Sequence, residues 1–104
     1  MTKARWAILV MALATTVAAP AFADEALATS KNCMSCHKVD KKLVGPSYKE
    51  VAAKYAGQAG AVDKLAAKIM KGGAGVFGAV PMPANTQVNE AEAKTLAAWV
   101  LSLK

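Results

Sequence analysis

Where apolar positions recur along this chain, they recur with a helical period, and nowhere do β-branched and polar residues alternate as a half-buried strand requires. Residues 24 to 32 read as a short helix, with Asp24 and Glu25 at its start and Lys31 near its end, a charge order that suits the helix dipole. Leu43-Val44-Gly45-Pro46-Ser47 then breaks any regular element. Ser47 or a residue beside it caps a short helix from Tyr48 to about Tyr55, which the glycines at 57 and 60 end. Residues 61 to 71 form a better helix: Val62, Leu65 or Ala66, and Ile69 share a face, and Gly72-Gly73 stops it. Residues 72 to 85 make an irregular Gly- and Pro-rich loop, a length that in a small domain points to function. Asn89 begins the last helix, with Glu92 three residues on to complete a capping box and an apolar stripe of Leu96, Trp99 or Val100, and Leu103. The pattern predicts an all-α protein of about four helices and no sheet.

The amino terminus follows a different logic. Lys3 and Arg5 precede a mostly apolar run from Trp6 to Ala19, and Ala21-Phe22-Ala23 is a small-x-small cleavage signal. The run falls short of the roughly 20 apolar residues that span a bilayer. Residues 1–23 therefore read as a removable secretory signal peptide, which leaves residues 24–104 as a single domain outside the cytoplasm. Without Lys3 and Arg5, that domain keeps eleven lysines, no arginine and seven acids, a net charge of +4. With no arginine fork and no interleaved aromatics, nucleic-acid binding is excluded. A lysine-rich surface suits loose, salt-sensitive encounters with acidic proteins. Lys31, Lys38, Lys41 and Lys42 cluster in sequence as the expected docking ring.

The chemistry is concentrated in Cys33-Met34-Ser35-Cys36-His37. The pattern C-x-x-C-H is that of covalent haem attachment: each thiol adds to one vinyl group, and the histidine is held against the iron. A structural zinc site needs four ligands, and the chain has two cysteines and one histidine in all. A thioredoxin-like dithiol needs βαβ patterning, which is missing, and a disulfide here would close too small a loop to constrain much. One haem c, carried as a large apolar plate, also answers the marginal core of so short a domain, which buries about 60 to 65 % of its surface on its own.

With His37 as one axial ligand, function turns on the other. A second histidine does not exist, Met34 lies inside the attachment motif, and Met70 falls on or near the apolar face of its helix. Met82 sits in the irregular loop between Pro81 and Pro83, which fix φ on both sides and hold a flexible thioether in place. His/Met ligation fills the iron and raises its potential. A filled iron has no position for a substrate, so the reading is an electron carrier and not an enzyme. The competing reading, a haem enzyme or gas sensor whose Met82 leaves easily, rests on the glycines of the same loop.

These residues, together with the Val44-Gly45-Pro46 turn, Tyr48 to Lys54, Gly75-Val76-Phe77-Gly78, Pro81-Met82-Pro83 and Ala98-Trp99-Val100-Leu101, resemble the class I cytochromes c. The resemblance covers residues 24–104 and runs closest to the small bacterial monohaem c-551/c-552 type. It implies that fold wrapped around one haem, and a monomer in the periplasm. The implied role is a soluble one-electron shuttle between a membrane respiratory complex and a terminal reductase, oxidase or peroxidase. Its partners are redox proteins, with no small-molecule substrate. By the same resemblance, the Pro46 carbonyl receives the Nδ1–H of His37, and Asn85 donates toward the Met82 sulfur. Lys68 and Phe77 fall where family members contact the haem propionates, although a phenylalanine cannot donate. Trp99 is a core residue beside the haem or against the first helix.

Overall fold

The computed structural model describes residues 21–104. Four α-helices appear among them: α1 (Ala21–Ser30), α2 (Tyr48–Tyr55), α3 (Ala61–Lys71) and α4 (Glu90–Ser102). A 3-10 turn, Cys33–Ser35, carries the two thiols. The expected signal peptide, residues 1–23, lies outside the described residues apart from its last three, which form the first turn of α1. No helix among the described residues is long and apolar enough to cross a membrane.

Three of the four helices have the bounds their caps predict. Ser47 accepts from the Glu50 N–H at 3.1 Å, and the Glu50 carboxylate returns a bond to the Ser47 N–H at 3.2 Å. Asn89 and Glu92 do the same at the start of α4, at 2.8 and 3.1 Å. Each box satisfies two orphan donors of a helix start. At the start of α3, Gly60 takes the left-handed conformation.

α1 departs from expectation. It ends at Ser30, two residues before Asn32, because Asn32 turns into the left-handed region at φ 64°. Asparagine tolerates that conformation, and a helix stops where it is adopted. The turn throws the chain into the 3-10 segment, so the thiols follow a bend and not a continuous helix.

α4 is the spine, packed against α1, α2 and α3. Ala93 and Ala97 are fully buried on it, and their small side chains allow close helix approach. Leu96, Trp99 and Val100 fill the space toward α2 and α3. Among the described residues no large side chain is completely shielded from solvent. The apolar side chains surround a central slot that they do not fill.

Candidate haem site

His37 is held from three directions. Its Nδ1 lies 2.8 Å from the Pro46 carbonyl, which can only accept, so Nδ1 carries the proton and Nε2 keeps its lone pair. Tyr48, the first residue of α2, stacks on the ring with centroids 5.1 Å apart and planes inclined by 21°. Trp99 meets Tyr48 edge-on at 5.3 Å. On another side is Gly45, where a Cβ would come within 2.5 Å of the imidazole Cε1. The Gly45 N–H donates to the Cys36 carbonyl at 2.8 Å, which closes the turn over the motif. The sequence reading missed both Tyr48 and Gly45. A glycine directly before proline in the loop facing the motif was the available signal.

Two apolar spaces border this ring. The outer one, of about 130 Å³, is lined by Cys36, His37, Pro46, Lys68, Phe77 and Met82 among others. The inner one, of about 70 Å³, is lined by Cys33, His37, Leu96 and Trp99. His37, Val51 and Leu65 border both. Cys33 and Cys36 are free thiols, both half-buried. Before it is joined to any group, the Cys33 thiol is pushed above the ordinary range by burial. Burial, followed by the nearby Cys33, raises the Tyr48 phenol as well, and it stays neutral.

The chemistry of this lining fits the expected group. The two apolar spaces together offer two thiols, Cys33 on the inner and Cys36 on the outer, and one imidazole that borders both. Met82, a thioether, and Lys68, a cation, border the outer of the two. Among the described residues there is no cluster of His, Cys, Asp and Glu that would hold a bare metal ion.

The fold matches on comparison as well. The family model for cytochrome c matches residues 25–104. The chain belongs to the cytochrome c family. Like cytochrome c-551 of Azotobacter vinelandii, it shares most of this domain: the two are 64 % identical over 80 residues, 77 % of this chain and 96 % of the relative. Cytochrome c-552 of Nitrosomonas europaea is 48 % identical over 102 residues, 98 % of this chain and 99 % of the relative. The crystal structure of wild-type Nitrosomonas europaea cytochrome c552 superposes with a TM-score of 0.76 at 50 % identity, covering 77 % of this chain and 99 % of that one. The protein is thus a small class I monohaem cytochrome c, an electron carrier and not an enzyme, with one covalently bound haem c.

Within this cytochrome c, Met82, Asn85 and Lys31 make contacts that the sequence does not announce. Met82 is not free of ladder bonds. It pairs with Gly73 in a lone antiparallel bridge, the Met82 N–H donating at 2.7 Å and the Gly73 N–H at 3.0 Å. The bridge reaches across from the end of α3, so backbone bonds add to the proline brackets in fixing Met82.

Asn85 borders neither apolar space. Its Nδ2 donates to the Ile69 carbonyl at 2.8 Å, and its Oδ1 accepts from Gln87 Nε2 at 3.1 Å. No bond from Asn85 toward the Met82 sulfur appears among the described residues; the Nδ2 bond that does form goes to the Ile69 carbonyl at the end of α3. Lys31 leaves the expected docking ring: its Nζ pairs with Glu92 at 3.1 Å and donates to the Gln87 carbonyl at 3.1 Å. Phe77 is 39 % exposed at the mouth of the slot, with Lys54 Nζ 5.4 Å from its ring centroid. Lys68 lies over Gly73, where an added Cβ would be 3.0 Å from its Nζ.

Proposed function

We propose that this cytochrome c is a soluble periplasmic one-electron shuttle whose haem iron is held between His37 and Met82. The observation that carries the proposal is that these two side chains, and no other imidazole or unassigned thioether, border one apolar space that Cys36 also borders. When bound, the haem supplies a one-electron couple between ferrous and ferric iron. Cys33 and Cys36 tether it. His37 presents Nε2 because Pro46 holds the proton on Nδ1. Pro81, Pro83 and the Gly73 bridge hold the Met82 backbone in place, so that its thioether would serve as the second ligand and deny that position to water and small ligands. Val51, Leu65 and Trp99 keep the surroundings apolar, which limits solvent rearrangement when charge changes. The periplasmic assignment is supported by the basic start, apolar run and Ala21-Phe22-Ala23 signal of residues 1–23.

Electrons would pass to redox proteins with acidic docking surfaces, drawn by Lys38, Lys41 and Lys42, which are exposed. The donor side is a membrane respiratory complex and the acceptor a terminal reductase, oxidase or peroxidase.

The test is the optical spectrum of the holoprotein. Far-red absorbance from methionine bound to ferric iron is expected, with no rapid cyanide or carbon monoxide binding at neutral pH. Met82→Ala should abolish that band, lower the potential and admit cyanide. Rapid cyanide binding by the wild type would favour the reading in which Met82 leaves easily. Transfer rates to an acidic partner should fall as salt rises, because exposed charges beyond about 10 Å are screened at 0.1 M. Rates indifferent to salt would assign docking to the apolar rim formed by Val44, Phe77 and Val80, all exposed at the mouth.

A further inference from the structure

We propose that Gln87 is a positioning residue: its side-chain amide latches the Met82 segment shut by joining it to the end of α1, just before the attachment motif. The inference rests on the reading of Met82 as the second axial ligand.

The segment from Gly72 to Asn89 contains no helix. Two sets of bonds fasten it near Met82 to the end of α3. One is the Gly73 bridge, and the other is Asn85, whose backbone N–H and Nδ2 both donate to Ile69, at 3.2 and 2.8 Å. Neither set reaches α1. Gln87 does. Its Nε2 donates to the Lys31 carbonyl at 2.9 Å and to Asn85 Oδ1 at 3.1 Å, and Lys31 Nζ returns a bond to the Gln87 carbonyl at 3.1 Å. Among the described residues these are the hydrogen bonds that tie the segment to the end of α1. Lys31 is anchored in turn by Glu92, at the start of α4.

The direction of each amide is determined. The Ile69 and Lys31 carbonyls can only accept, so Asn85 must turn Nδ2 to the first and Gln87 must turn Nε2 to the second. Asn85 Oδ1 then faces the remaining Gln87 N–H, and the two amides form a matched donor–acceptor chain. Reversing either one sets oxygen against oxygen. The chain spans from the end of α3 to the residue two places before Cys33. Swinging the Met82 segment away from the slot would have to break it. The latch therefore couples the side that bears the thiols to the side that bears the thioether.

The experiment uses the holoprotein and its Gln87→Leu variant, with Lys31→Ala as a second variant that removes the Nζ bond and leaves the backbone carbonyl. Amide hydrogen exchange is followed by NMR at Gly73 and Met82, whose N–H groups form the bridge, and at Leu96 and Ala97 in α4. The rate at which imidazole displaces the sixth iron ligand is measured alongside. In Gln87→Leu, bridge exchange and imidazole entry should both accelerate about tenfold, with α4 exchange unchanged and the Asn85 side-chain amide resonances shifted. Lys31→Ala should give a smaller change in the same direction, and the double variant less than the product of the two. Unchanged bridge exchange in Gln87→Leu would overturn the latch. Equal acceleration in α4 would also overturn it, because the effect would then be global loss of stability. Bridge exchange reports the latch whichever group binds iron. Failure of the Met82 reading shows separately, as a Met82→Ala protein that keeps the wild-type far-red band.

Discussion

Gly45 shows how closely the ring of His37 is packed. The backbone of Gly45 occupies a position where a side chain would strike the imidazole, with Cε1 only 2.5 Å from an added Cβ. Gly45→Ala should therefore cost about 1–3 kcal/mol of stability through overpacking. It should also tilt the imidazole away from the Pro46 carbonyl. A denaturant midpoint measured on the holoprotein, with the spectrum as a check on the iron environment, tests both. At this scale the motif residues were legible because their meaning lies in covalent chemistry and adjacent spacing: Cys33, Cys36 and His37 need no partner to be recognised. Asn85 was not legible. An amide has two donors and an acceptor, and which neighbours satisfy them depends on where the end of α3 arrives. The Ile69 carbonyl accepts from Nδ2, where the resemblance had the amide donating toward Met82, and Gln87 donates to Oδ1.

Helix starts are local events, and the boxes at Ser47–Glu50 and Asn89–Glu92 were readable for that reason. Asn89→Ala should lose about 1 kcal/mol, seen as a lower denaturant midpoint. Glu92 adds a pH dependence. The Asn89 N–H, then Lys31, hold its carboxyl below the ordinary carboxylate value of about 4.3. A lowered folded-state pKa means the stabilisation is fully present above the unfolded value and disappears as pH falls through the folded one. Stability should therefore decline on acidification below about pH 4, and Glu92→Gln should flatten that part of the acid limb in thermal unfolding. The end of α1 was misjudged because a single asparagine can continue a helix or leave it. Its left-handed turn follows from where the chain must go next. The Gly73–Met82 bridge likewise joins residues far enough apart in a loop that no local pattern announces it.

For the molecule as a whole the core is a lining without a filling. No large side chain among the described residues is fully buried, and the apolar faces of α2, α3 and α4 border a shared slot. A chain of this size has little stability to spare. Withholding haem from the chain should leave a protein with weak helical circular dichroism and no cooperative thermal transition. A haem-free chain that melts cooperatively would show that the side chains suffice. The electrostatic surface was only partly readable. A count of lysines near the motif is a sequence property, yet Lys31 proved to be tied to Glu92 and Gln87, and Lys49 to Asp40 at 2.7 Å. Sequence by itself determined the helices with local caps and the covalent chemistry of Cys33 and Cys36, and it singled out Met82 over Met34 and Met70 as the candidate for the second ligand position. All of these depend on residue type and short spacing. Tertiary structure alone decided how the imidazole is clamped, which lysines stay free, and how the loop bearing Met82 is fastened at both ends. Those outcomes rest on contacts between segments distant in sequence, where competing donors and acceptors are settled only when the chain closes around its slot.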